Sequence, residues 1–312
     1  MNRIKVKLSP WWTGSVKDRF NQQFIGSYFI NHDIELVDGD DYDFLVIVGN
    51  KKEEEDILVP EDRVLVFTME PNWSPNACKN AHEYSNRVYI RDKNDHPESE
   101  SYIETPLYIM YGGNGDMHHE QKWNWSVDAL IGSDYQANKL LSTVQRNQEC
   151  SWIADQDAQN ILYTKRCDLV NSLLTSSTDI DIYGQYWEED GNKIKGVAWN
   201  KKVGLLDYKF SIAIENTIEQ NYITEKFWDC ILTQTVPVYF GCPNIADLIP
   251  SNCYISLPEI GNIDECIKTI NNNCTDEIYK NMLDEVHNLR YTFFSEPKFN
   301  IWHKIQEEII NS

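Results

Sequence analysis

The sequence predicts an α/β fold made of two successive nucleotide-fold domains facing a central cleft. Three observations predict it. Short apolar runs bounded by turn residues alternate with stretches at helical spacing, the pattern of βαβ units and a mostly parallel sheet. The alternation occurs twice, with a polar stretch, Gly-Gly-Asn-Gly-Asp-Met-His-His-Glu-Gln at 112–121, between the two runs. The 312 residues suffice for two domains of ordinary size, each with its own core.

In the first run, Ile4, Val6 and Leu8 alternate with Arg3, Lys5 and Lys7. Residues 4–8 therefore read as a strand and not as the continuous apolar core of a signal peptide. Phe20, Phe24, Ile25, Tyr28 and Phe29 give a helix at 16–30. Strands are expected at 44–48 and 64–67, a shorter one at 88–90, and a helix near 74–84. In the second run, strands are expected at 140–144, 180–183, 210–214 and 236–240, the second ending at Gly184 and the last at Gly241. Helices are expected at 157–174, 224–233, 263–270 and 276–289. Ile301, Trp302, Ile305 and Ile309 form one stripe on a last helix at 299–310. The domains divide as 1–120, a linker region at 121–138, 139–290, and a carboxyl-terminal amphipathic helix at 291–312.

Composition excludes several functions. A net charge of −21 repels nucleic acid and anionic lipid, so no nucleic-acid partner is expected. No run approaches the roughly 20 apolar residues of a membrane span, and the chain reads as cytoplasmic. Eight scattered cysteines lack any CxxC pair or zinc spacing and read as reduced, packed thiols. Asp38-Gly-Asp40 and Asp179-Ile-Asp181 have the D-x-D form of metal-dependent sugar transferases, but the form is short and frequent. His118-His119 lies in the polar stretch with no third ligand in view, so no metal is expected. There is no Gly-Lys-Ser/Thr phosphate loop and no G-x-G-x-x-G, which removes kinase and dehydrogenase readings. The N-x-S/T sequons at Asn72, Asn124 and Asn273 matter only in a secretory compartment.

The chemistry concentrates in Tyr208-Lys-Phe-Ser-Ile-Ala-Ile-Glu-Asn-Thr-Ile-Glu-Gln-Asn-Tyr-Ile-Thr-Glu-Lys226. An apolar strand stops at Glu215-Asn216, a polar loop follows, and Thr224 caps a helix with Glu225 and Lys226 in its first turn. Glutamate is favoured there by the helix dipole and lysine is not. A lysine beside free backbone N–H groups makes an anion site suited to a diphosphate.

This segment resembles the donor-binding motif of the α1,3/4-fucosyltransferases, glycosyltransferase family 10. The matching residues are Tyr208-Lys209-Phe210, Glu215-Asn216, Tyr222-Ile223-Thr224-Glu225-Lys226, Val236-Pro237-Val238 and Gly241. Asp181-Ile-Tyr-Gly184, Lys165-Arg166, Trp11-Trp12 and the Phe67–Asn76 stretch are similar to other parts of the family. The resemblance implies a GT-B fold of two Rossmann-like domains, the second holding GDP-fucose and the first facing the acceptor. It implies an inverting, metal-independent transfer to a glycan hydroxyl, such as that of GlcNAc in an N-acetyllactosamine-like unit through an α1,3 linkage.

By the same likeness Glu70, after the 64–67 strand, is the general base for the attacking hydroxyl. Lys226 and Arg166, with the Thr224–Lys226 amides, would stabilise the leaving diphosphate. Glu225 could support the oxocarbenium-like carbon or bind donor hydroxyls. Tyr222 and Asn216 could bond ribose or fucose or stack on the base, and Tyr183, Gly184 and Glu215 complete the donor-binding set. Two rivals stay open: a transferase of the same fold using another nucleotide sugar, and a non-catalytic glycan-binding protein on that scaffold.

Overall fold

In a computed structural model of the chain, the described residues are 3–10, 33–53, 55–74, 77–78, 80–95, 99–109, 137–147, 162–188, 192–198 and 201–312. The helix expected at 16–30, the polar stretch at 112–121 with His118 and His119, and Trp11-Trp12 lie outside them. The chain forms two compact units. One holds the amino-terminal sheet together with Phe293–Ser312, and the other ends at Thr292.

The first unit is a six-stranded sheet in the order β2-β1-β3-β4-β5-β6. Its strands are β1 (Ile4–Pro10), β2 (Ile34–Val37), β3 (Phe44–Val48), β4 (Val64–Phe67), β5 (Arg87–Ile90) and β6 (Tyr102–Glu104). Every pairing is parallel. β3 and β4, Phe-Leu-Val-Ile-Val and Val-Leu-Val-Phe, are buried throughout, as central strands covered on both faces must be. Leu45, Ile47, Val64, Val66 and Val88 pack with Cys78 and Ala81 on one face. Near 74–84, where a helix was expected, the described residues contain only a 3-10 turn, Ala81–Glu83. Asn80 and Ser85 there compete with helical hydrogen bonding, and Ser85 spends its hydroxyl on the Val64 carbonyl at 2.5 Å.

The second unit repeats the plan with five parallel strands ordered β11-β10-β9-β7-β8. Along the chain it runs β7 (Lys139–Val144), α1 (Tyr163–Thr175), β8 (Asp181–Tyr183), β9 (Tyr208–Ile214), α2 (Glu225–Leu232) and β10 (Val236–Phe240). Then come α3 (Ile245–Leu248), β11 (Ile255–Ser256), α4 (Ile263–Asn273) and α5 (Asp276–Ser295). Strand order reverses between β7 and β9, and in open parallel sheets the crevice at such a reversal, outside the strands' carboxyl ends, is where ligands bind. β9 begins two residues before the expected 210 because Tyr208 is itself buried. α5 runs to Ser295, beyond the expected end at 289.

The last helix, α6 (Ile301–Ile310), returns to the first unit. Asn300 caps it, its side-chain oxygen accepting from Trp302 N–H at 3.0 Å. Ile301, Trp302, Ile305 and Ile309 then bury against Val46, Val48, Leu65, Phe67 and Tyr89, the other face of that sheet. Among the described residues no helix is long and apolar enough to cross a membrane. The seven described cysteines are free and buried, as packed thiols should be.

Candidate active site

The end of β9 is the centre of the site. Glu215 follows the last strand residue and is fully buried. Its Oε1 accepts from the Thr224 backbone N–H at 2.7 Å and its Oε2 from the Thr224 hydroxyl at 2.6 Å. The Tyr239 hydroxyl of β10 donates to Oε1 at 3.3 Å. Gly241 makes room for this carboxylate: a Cβ there would lie 2.5 Å from Glu215 Cγ, and its φ is +154°. Burial raises the Glu215 carboxyl above its ordinary value, with the Lys226 ammonium opposing and the Glu225 charge adding to the rise.

Above this carboxylate begins α2. Thr224 is its N-cap, its hydroxyl oxygen accepting from Lys226 N–H at 3.3 Å. The Lys226 ammonium lies 3.1 Å from Glu225 Oε1, 3.2 Å from Thr224 Oγ1 and 3.7 Å from Glu215 Oε2. Its side chain is partly exposed and that of Glu225 more so. These contacts with two carboxylates and a hydroxyl hold the ammonium in one direction.

Asn216 joins α2's end of the site to α1. Arg166, in the first turns of α1, is buried and directs Nη1 to the Asn216 side-chain oxygen at 2.8 Å and to the Ile214 carbonyl at 3.3 Å. The Asn216 carbonyl accepts from Leu162 N–H at 2.9 Å, just before α1. The Tyr163 ring lies 4.6 Å from the guanidinium carbon.

The structure brings Asn216, Thr224, Glu225, Lys226 and Arg166 together and moves three expected donor contacts inward. Glu215 is not a surface group, because both its oxygens serve the Thr224 cap and the side chain has no exposure. For the same reason two of the three amides expected to grip an anion, those of Thr224 and Lys226, already have acceptors inside the protein. Tyr222 is buried beneath the loop, its carbonyl accepting from the Tyr239 hydroxyl at 3.3 Å. Tyr183 is buried too, its hydroxyl meeting that of Tyr208 at 2.9 Å. Tyr208, at the opposite end of β9 from Glu215, bonds Asp181 at 2.6 Å, and Lys139 and Lys195 approach the same carboxylate at 3.2 and 3.1 Å. Asp181 is thus an ion-pair partner of two lysines. Against the cost of burial, the bonds from Tyr208, Lys195 and Lys139 hold it below the usual carboxylate range. Gly184 contributes backbone only: a Cβ would fall 1.8 Å from the Gln145 carbonyl oxygen.

Glu70 lies in the first unit, three residues past β4. Sequence reading missed two residues that organise these loops, Tyr239 under Glu215 and Arg91 behind Glu70. A tyrosine ending the apolar Val-Pro-Val-Tyr and an arginine directly after a buried strand are the signals that could have found them. Among the described residues no group of three or more His, Cys, Asp or Glu could hold a metal ion.

Residues 143–289, within the second unit, match the C-terminal domain of glycosyltransferase family 10 (fucosyltransferase). This match takes in Arg166, Glu215, Asn216 and the Thr224–Lys226 turn.

Curated relatives agree along parts of the chain. An α-(1,3)-fucosyltransferase of Caenorhabditis elegans is 31% identical over 175 residues, 54% of this chain and 44% of that protein. The α-(1,3)-fucosyltransferase of Helicobacter pylori is 31% identical over 100 residues, 30% of this chain and 21% of its own. A GDP-fucose protein O-fucosyltransferase 3 of Rattus norvegicus is 54% identical over 48 residues, 15% of this chain and 10% of its own. The chain thus spans less than half the length of these relatives. Among solved structures, an α1,3-fucosyltransferase with GDP superposes with a TM-score of 0.52 at 19% identity, covering 97% of this chain and 92% of the other. The same kind of enzyme with GDP-fucose gives 0.51 at 18%, covering 99% and 90%. These likenesses show the fold, GT-B, and the chain has its two parallel-sheet units.

Proposed function

We propose that this chain is an inverting fucosyltransferase that moves fucose from GDP-fucose to a hydroxyl of a glycan acceptor without a catalytic metal. The observation that carries the reading is the convergence of Lys226, Glu225 and Asn216 at the β7/β9 reversal of a family 10 domain, backed by buried Arg166 and Glu215. In this reading the Lys226 ammonium faces the diphosphate as a point charge that strengthens its hold as negative charge grows on the leaving group. Arg166 donates to the Asn216 oxygen, which leaves the Asn216 amide N–H groups to donate to the donor. Glu225, the most exposed of the group, meets the sugar hydroxyls or the positive character at its reacting carbon. Glu70 accepts the proton of the attacking acceptor hydroxyl. The acceptor of this reading is GlcNAc in an N-acetyllactosamine-like unit, joined through an α1,3 linkage.

A second acceptor class has an observation of its own. The 48 residues at 54% identity are shared with a protein whose name specifies protein O-fucosylation. A hydroxyl on a folded peptide is therefore the alternative acceptor for the same donor site.

The test is GDP release from GDP-fucose with oligosaccharide and folded-peptide acceptors, alongside thermal stabilisation by GDP-, UDP- and CMP-sugars. The proposal expects stabilisation by GDP-fucose and release of GDP with an oligosaccharide. Stabilisation by a different nucleotide alone would establish another donor. Glycan binding with no GDP release on any acceptor would establish a non-catalytic protein.

A further inference from the structure

Arg91 is a charged side chain 2% exposed, in the unit that carries Glu70. It follows β5 and reaches across to the loop after β4. Its Nη1 donates to the Thr68 hydroxyl at 3.3 Å, and its Nη2 donates to the Glu70 carbonyl oxygen at 2.5 Å and to the Asn72 side-chain oxygen at 3.0 Å. These three acceptors sit within the five residues centred on Glu70. The same loop is tied at its start, where Thr68 donates its N–H and its hydroxyl to the Tyr89 carbonyl at 3.2 and 3.0 Å. Met69 packs against the core shared with Trp302, and Ser74 N–H closes a turn onto the Pro71 carbonyl at 2.8 Å.

A rigid, planar donor fork bonding both backbone and side chain of one short loop fixes where that loop's remaining side chain can point. We propose that Arg91 is a positioning residue for Glu70, its buried guanidinium holding residues 68–72 so that the Glu70 carboxylate is fixed for proton removal from the acceptor. The inference rests on Glu70 being the base.

The experiment compares Arg91→Ala, Arg91→Lys and Glu70→Gln in the full chain. Misplacing a catalytic group by about 1 Å costs roughly 100-fold in turnover. Arg91→Ala is expected to lose kcat on that scale, to leave GDP affinity within about twofold, since the donor cluster belongs to the other unit, and to recover activity with added guanidinium ion, which fills the vacated cavity. Arg91→Lys, a point charge without the fork, is expected to be intermediate. Hydrogen exchange at residues 68–74 should quicken in Arg91→Ala and slow again with guanidinium. An inactive Glu70→Gln beside a fully active Arg91→Ala would overturn the positioning role and leave the base assignment standing. A fully active Glu70→Gln would overturn the base assignment itself. Equal loss of kcat and GDP affinity in Arg91→Ala, with no response to guanidinium, would reduce Arg91 to a folding residue.

Discussion

Lys226 and Glu215 form a pair whose halves have different exposure, the ammonium partly open and the carboxylate closed off. Removing the ammonium takes a cation from the proposed donor site and a counter-charge from a buried acid at once. Lys226→Met is therefore expected to weaken GDP binding by about 10- to 100-fold, measured by calorimetry, on the scale of a lost charge-assisted contact. Glu215 makes a separate prediction through pH. Its folded pKa lies above the ordinary 4.5, burial being the main cause. On acidification the native state binds the proton before the unfolded chain does. The group's contribution to stability is then complete below 4.5 and is lost as pH rises through the folded value. Glu215→Gln carries no charge at any pH, so urea unfolding from pH 4.5 upward should show the variant gaining on the wild type. The reverse trend would mean that Lys226 and Thr224 keep the buried carboxylate ionised throughout.

At the level of elements, the junction of β9, β10 and α2 depends on a missing side chain. Alanine at Gly241 would drive a methyl group to 2.5 Å from Glu215 Cγ and ask a residue with a Cβ to adopt φ +154°. Gly241→Ala should cost about 2 kcal/mol or more in urea unfolding and weaken GDP binding together with stability. The contact between α5 and α6 titrates in the opposite sense to Glu215. His303 of α6 donates from Nε2 to the Phe294 carbonyl of α5 at 2.6 Å, and burial lowers its pKa below 6.5 despite that bond. Below pH 6.5 the unfolded chain takes up a proton that the native state refuses. The stability from this residue is present above 6.5 and lost as pH falls. His303→Gln should flatten that limb in melts between pH 5 and 7. Much of this architecture was legible in the sequence: the long central strands, α2, α4 and α6 carry their own apolar periodicity. β2, β6 and β11 did not, because their two to four residues mix polar with apolar side chains and, unlike β8, no glycine directly follows them. The identities of Glu215, Thr224 and Lys226 were equally plain. Their inward turn was not, since nine residues of spacing between Glu215 and Thr224 say nothing about which one points at the other.

At the scale of the whole molecule, the chain's order and its packing disagree. The stripe of Ile301, Trp302, Ile305 and Ile309 announced an amphipathic helix but not its destination. It completes the core of the first unit, nearly 300 residues from β1 in sequence. Trp302 is fully buried against β3, β4 and β5, and its loss as Trp302→Ala should cost about 3–5 kcal/mol. Because the proposed donor cluster lies wholly in the other unit, that cost should fall on one unit only. Urea unfolding of Trp302→Ala followed by intrinsic fluorescence should split into two phases, the early one lost by the first unit, with GDP affinity unchanged through the interval between them. A single transition shifted as a whole, with GDP binding lost at its onset, would show instead that the units fold as one.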